Sequence, residues 1–150
     1  MLRNFMTAVV LGAVAAGGAL AETWEVQMLN RGEAGNMVFE PAALSIEPGD
    51  TVRFLAPDRG HNAETIEGMI PEGAEPFAGA INEEIEVTLT EAGFYAVECK
   101  PHFAMGMVMT IRVGAESAVP EDFLAGRLPP RVKERLEAQL AEIAEMEMAE

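Results

Sequence analysis

A single cysteine stands among the 150 residues of this chain, and there are only two histidines. One thiol cannot close an internal disulfide, so the fold does not depend on a disulfide framework. Basic residues are scarce as well: 10 Lys and Arg stand against 25 Asp and Glu, a formal net charge of −15. That balance argues against nucleic acid or an anionic membrane surface as a partner. Beyond the N-terminal stretch that ends near Leu20 there is no long hydrophobic run, so no later segment is suited to cross a membrane. Internal repeats, low-complexity tracts and the strand–helix alternation of a parallel α/β sheet are also missing.

What is there begins with a leader. Arg3 supplies a positive charge, an apolar stretch interrupted by glycines follows, and Ala19-Leu20-Ala21 is a small-x-small cleavage site. Residues 1–21 therefore read as a secretory signal peptide and residues 22–150 as one domain with room for a real core. Cleavage removes Arg3 and no acid, which leaves the mature chain more acidic by one charge. Export implies an oxidising compartment, where an unpaired cysteine is either buried and inert or a ligand.

The mature chain first reads as strands. Thr23–Asn30 alternates, and Ala43–Pro57 holds two strand-like runs around the turn Pro48-Gly49-Asp50. Ile85, Val87 and Leu89 share one face; after the turn at Ala92-Gly93, so do Tyr95, Val97 and Cys99. Along Val108–Gly114, Met109, Ile111 and Val113 line the core while Thr110 and Arg112 point outward. Short strands between Gly and Pro turns predict a mostly-β antiparallel sandwich or barrel. Helix enters from about residue 119. Pro120, Glu121 and Asp122 suit a first turn, Gly126 suits its stop, and Pro129-Pro130 breaks the chain. Val132, Leu136, Leu140 and Ile143 then recur at the spacing of an amphipathic helix lying on the sandwich. Met146 and Met148 read as the frayed end of that helix rather than as thioether ligands.

The reactive residues crowd into one stretch, VECKPHFAMGMVM (Val97–Met109), with Cys99, His102 and the alternating Met105, Met107 and Met109. The other histidine, His61, lies far upstream in DRGHNAE. Cys-x-x-His by itself is a weak signal, since chance, a nucleophile–base pair or half a zinc site would each produce it. A nucleophile also wants an orienting group and an oxyanion hole, and neither is evident. Structural zinc wants four closed ligands, usually from Cys and His pairs. Two imidazoles, one thiolate and a choice of thioethers are instead what a copper electron-transfer site needs. A thiolate with two imidazoles suits both Cu(I) and Cu(II), and a weak axial thioether tunes the potential.

Around these residues the chain resembles the pseudoazurins, small type 1 blue-copper proteins of the cupredoxin superfamily. MLNRGEAGNMVFEP, GHNAETI, MIPEGAEPF, INEE and CKPHFAMGM are similar to segments of that family and come in the same order, over essentially the whole mature chain. The resemblance implies an eight-stranded Greek-key β-sandwich with two C-terminal α-helices. It also implies one copper, no enzymatic activity, and a monomeric electron carrier in the periplasm. Transient redox partners would be nitrite reductase or a c-type cytochrome. The implied ligands are His61 and His102 through Nδ1, Cys99 through Sγ and Met107 through Sδ, because the family loop Cys-x2-His-x4-Met lands on Met107. Asn62 resembles the residue whose backbone N–H bonds the cysteine sulfur and whose side chain ties two loops together. The ring edge of His102 would emerge through an apolar patch beside Pro101 and Met105.

The chain departs from the family in its charges. Pseudoazurins usually ring that patch with lysines; here Arg31, Arg59 and Lys100 keep positive charge near the site, but Ala78, Ala80 and Glu98 stand where lysine is frequent. Glu137, Glu142, Glu145, Glu147 and Glu150 crowd the last helix. Either these are the solvated faces of an acidic protein, or the molecule is dipolar, positive near the metal and negative at the helical end. A copper-holding or delivery module is the alternative function, and it would be expected to show exposed methionine or histidine runs and labile ligands.

Overall fold

Eight strands carry the alternating segments: β1 (Thr23–Gly32), β2 (Gly35–Glu40), β3 (Ala43–Ile46), β4 (Thr51–Leu55), β5 (Glu64–Thr65), β6 (Ile85–Thr88), β7 (Gly93–Glu98) and β8 (Val108–Val113). In this computed structural model, which describes residues 20–149, they form two four-stranded sheets ordered β2-β1-β4-β6 and β3-β8-β7-β5. All of the expected leader except Leu20 and Ala21 lies outside the described residues.

The pairing is not purely antiparallel: β1 runs parallel to β4, and β3 parallel to β8. The chain changes sheet between β2 and β3 and again between β3 and β4. β4 therefore does not follow as a hairpin partner; it joins the free side of β1 instead.

Between the sheets lies the main core, with Val26, Met28, Phe39, Val52 and Phe54 from one sheet. Leu44, Ile46, Tyr95, Val97, Met109, Ile111 and Val113 face them from the other. The period of two places Cys99 in this cluster, in line with Tyr95 and Val97, as the alternation predicted. The opposite face of β7 and β8 packs Phe94, Ala96 and Val108 against Val132, Leu136 and Ile143 of the helix α1 (Pro130–Met148).

That helix corrects the reading of Thr110 and Arg112. Both point away from the sandwich interior, yet both are buried because α1 covers their face. Thr110 Oγ1 donates to Gln139 Oε1 (3.0 Å), and Arg112 donates to Ser45 Oγ and pairs with Glu147 at 3.3 Å. The other expected helix, after Pro120, is reduced to two tight turns, Phe123 N to Pro120 O and Ala125 N to Asp122 O, both 3.0 Å. A segment this short, between Pro120 and Pro129, gives little chance to propagate a helix beyond its nucleus. Its anchor is Phe123, whose ring meets Phe94 edge-on at 6.1 Å.

The turn at Gly49 (φ 96°) places Asp50 beneath the start of β1. Asp50 is buried and accepts from Glu22 N (2.9 Å), Glu47 N (3.0 Å) and Trp24 Nε1 (3.1 Å). Burial pushes the carboxyl up, but these three donors outweigh it and hold the pKa below the ordinary 3.8. A depressed folded-state pKa contributes stability that is present above the unfolded value and lost as pH falls through the folded one. Asp50→Ala should therefore cost about 3 kcal/mol at neutral pH in urea unfolding, since it orphans three donors. The gap between variant and parent should narrow below pH 3.8. A gap independent of pH would mean that the carboxylate charge plays no part.

Candidate metal centre

Three segments converge at one end of the sandwich: the loop before β5, the end of β7, and the turn leading into β8. His61 sits in the first and Cys99 directly follows β7. The chain then winds through a 3-10 turn, Lys100–Met105, with Pro101 in its first positions. His102 N donates to Cys99 O (3.1 Å), Met107 N to His102 O (3.2 Å) and Cys99 N to Met107 O (3.0 Å). These bonds close a compact ring that holds Met107 directly beside Cys99. Gly106 makes the closure possible: its φ is 89°, and a Cβ there would lie 2.7 Å from Arg131 Cγ.

The three donors predicted from the sequence meet. His61 Nδ1 lies 3.6 Å from Cys99 Sγ, His102 Nδ1 lies 3.5 Å from the same sulfur, and the two nitrogens are 3.2 Å apart. A point equidistant from all three is roughly 2 Å from each, the length of a bond from a transition metal to imidazole nitrogen and slightly short for thiolate. His61, Cys99 and Met107 are fully buried, while His102 is half-exposed. The thiolate–imidazole set in a trigonal arrangement matches copper in chemistry as well as in size.

Hydrogen bonds fix the rings before any metal arrives. His61 Nε2 is 2.8 Å from Asn30 Oδ1, an acceptor only, so the proton sits on Nε2 and the Nδ1 lone pair faces the pocket. Asn30 N in turn donates to Asp58 Oδ2 at 2.8 Å. Burial, with His102 adding to it, holds His61 below the ordinary imidazole value, which keeps it a neutral ligand. Burial likewise pushes the Cys99 thiol up, while the backbone N–H groups of Asn62 and His102 act on the sulfur in the opposite direction. Loss of that proton at neutral pH needs a cation in the pocket.

Asn62 bonds to both of its neighbouring loops through its side chain. Its Oδ1 accepts from Lys100 N (2.8 Å), and its Nδ2 donates to Gly79 O and Glu64 Oε2, both at 3.0 Å. The loop of one ligand is thereby tied to the loop of the other two. Glu98 faces Glu64 across β5 and β7; burial first, then the neighbouring carboxylate, pushes its carboxyl up to about 7.

The expected surface residues also lie at this end. Pro101 and Met105 are exposed in the turn that carries His102. Arg59 is exposed two residues before His61, and Arg31 is exposed on the β1–β2 hairpin opposite Asn36. Lys100 is exposed but lies 3.5 Å from the Glu64 carboxylate. Two residues at the site escaped sequence reasoning, Asn30 and Arg135. Asn30 stands within the MLNRG segment but carries no spacing signal toward His61. Arg135 falls on the polar side of a helical pattern, as a solvated arginine would.

The family model for copper binding proteins of the plastocyanin/azurin family matches residues 26–114. A pseudoazurin from Paracoccus pantotrophus is 46% identical over 136 residues, covering 91% of this chain and 93% of that protein. The crystal structure of pseudoazurin from Methylobacterium extorquens AM1 superimposes with a TM-score of 0.77 at 38% identity, covering 81% of this chain and 98% of the other. That of native pseudoazurin from Hyphomicrobium denitrificans gives 0.74 at 34% identity, covering 80% and 97%.

Proposed function

Because the chain belongs to the plastocyanin/azurin family of copper binding proteins, and within it to the pseudoazurins, we propose that it carries single electrons between periplasmic redox proteins, nitrite reductase among its acceptors. The observation that carries this reading is the triangle of His61 Nδ1, Cys99 Sγ and His102 Nδ1, with buried Met107 bonded through its backbone to both neighbours. His61, Cys99, His102 and Met107 would hold one copper, which supplies a one-electron couple between Cu(I) and Cu(II).

The protein's own part is to keep the donors still. Cys99 and Met107 hang from adjoining strands, and Asn30 and Asn62 pin the loop of His61. Donors that do not move when the charge changes keep the reorganisation small. Burial of three of the four leaves no open position for a substrate. Half-exposed His102, between exposed Pro101 and Met105, supplies the route from the pocket to the surface. A small apolar contact of that kind releases its partner quickly. Export by cleavage after Ala21, residues 22–150 forming the mature domain, accounts for the periplasmic site of action.

Docking follows from the local charges. Arg31 and Arg59 have no ion pair among the described residues, whereas Lys100 is already opposed by Glu64. Stopped-flow oxidation of the reduced copper protein by a nitrite reductase with an acidic docking face should slow as salt is added. Arg59→Glu should lower the low-salt rate by about tenfold, with Lys100→Glu weaker, and the difference should vanish at high ionic strength. A rate that climbs with salt and ignores both substitutions would mean that the overall negative charge governs the encounter. Failure to transfer electrons at all would remove the carrier reading.

A further inference from the structure

Arg135 has an unusual set of partners for an arginine on an acidic helix. No carboxylate lies within ion-pair distance of it among the described residues. Its Nη1 donates to Met37 O (2.6 Å) and to Gly106 O (2.8 Å), and its Nη2 donates to Asn36 O (2.7 Å). The guanidinium is half-buried, and burial pushes its pKa down from the usual value. Three backbone carbonyls, two at the start of β2 and one in the ligand loop, thus converge on one fixed cation. One is that of Met37, whose φ of 52° is left-handed and rare for a residue with a side chain.

We propose that Arg135 is a positioning residue for Met107, setting from the helix side how closely the thioether can approach the metal. The proposal rests on the reading of Met107 as axial ligand. The carbonyl of Gly106 belongs to the peptide that leads into Met107. On the other side, Gln139 Nε2 donates to Val108 O at 2.9 Å and Gln139 Oε1 accepts from Thr110 Oγ1 at 3.0 Å. One face of α1 therefore grips the backbone before and after Met107. There is no slack between them, since a Cβ on Gly106 would stand 2.7 Å from Arg131 Cγ and 3.1 Å from Arg135 Cδ.

An axial thioether is a weak ligand, so its distance is governed by the backbone that carries it rather than by its own bond. Arg135 also ties Gly106 to the start of β2, which pairs with β1, the strand that contributes Asn30 to His61. Lysine cannot substitute here, because a compact ammonium does not reproduce the rigid planar fork that meets these three carbonyls.

The test compares copper-loaded wild type, Arg135→Met and Arg135→Lys by visible spectrum, copper affinity in a chelator competition, and thermal melting. Both variants should stay blue, with the ratio of the two thiolate-to-copper bands changed. Copper affinity should fall about 10- to 100-fold in Arg135→Met, the range for losing an outer-shell partner, and be restored only in part by lysine. A lower melting temperature with a wild-type spectrum and affinity would make Arg135 a plain staple of the helix and overturn the proposal. Full restoration by Arg135→Lys would assign the effect to charge and overturn it too. Should Arg135→Met not fold, Arg135→Lys decides alone: a wild-type spectrum and affinity overturn the proposal, and a changed band ratio supports it. A wild type that is not blue would bring down the ligand reading first; a blue wild type with unaltered variants would bring down only this inference.

Discussion

Cys99→Ser should remove the intense visible absorption of the Cu(II) protein and leave the sandwich folded. The colour of such a centre comes from charge transfer out of a soft, polarisable thiolate, and this chain has no second sulfur anion to supply it. The hydroxyl of serine is smaller than the thiol and not acidic enough to become an anionic ligand near neutrality, so copper binding should weaken as well. Folding should survive, because the new hydroxyl would lie between two imidazole nitrogens able to pair with it, now 3.5 and 3.6 Å from the sulfur. The rest of the core, from Val26 to Val113, is untouched. A loss of about 1–3 kcal/mol in urea unfolding of the apoprotein would fit a hydroxyl buried in place of the thiol. A serine variant that kept the intense band would show that the thiolate is not the ligand.

The second large effect separates three neighbouring methionines by their surroundings. Met107 and Met109 are fully buried, whereas Met105 is 49% exposed. Met109 stands opposite Val97 in the ladder of β7 and β8 and fills the core between the sheets. Met107 precedes β8, and its backbone is bonded to both Cys99 and His102. Replacing an electron-donating axial ligand by a hydrocarbon disfavours Cu(II), so Met107→Leu should raise the reduction potential by on the order of 60 mV, a tenfold change in a one-electron equilibrium. Met109→Leu should leave the potential close to its starting value and change stability by less than about 1.5 kcal/mol, as volume-conserving core swaps do. Met105→Leu should alter neither, and act only on the encounter with partners. Voltammetry on the three variants checks this; a shift confined to Met105→Leu would mean that our reading places the axial ligand two residues too late.

Much of this site was legible in the chain itself. A lone cysteine, two histidines and a methionine-rich loop named the donor set, and alternation placed Cys99 on the same inward face as Tyr95 and Val97. Both signals are local, since strand period and loop spacing are properties of consecutive residues. Met107 could be chosen from three candidates only through the resemblance to a family loop, because burial distinguishes Met105 but not Met109.

What the pattern could not give depends on which faces meet. Thr110 and Arg112 alternate with core residues and look solvent-facing, but a second layer lies over β8, so they are buried and bonded to Gln139, Ser45 and Glu147. The turns after Pro120 carry helix-start and helix-stop residues, yet the segment is too short to turn them into a helix. Asn30 and Arg135 have no signature, because each acts on a residue far away in the chain, 31 positions for Asn30 and His61 and 29 for Arg135 and Gly106.

The sequence by itself therefore determined the metal's donors and the strands that carry them, since soft-ligand chemistry and period-two burial are written residue by residue. Only the tertiary structure decided how those donors are held. The orientation of His61 and the grip of α1 on the backbone either side of Met107 rest on hydrogen bonds between segments whose proximity comes from packing two sheets and a helix together.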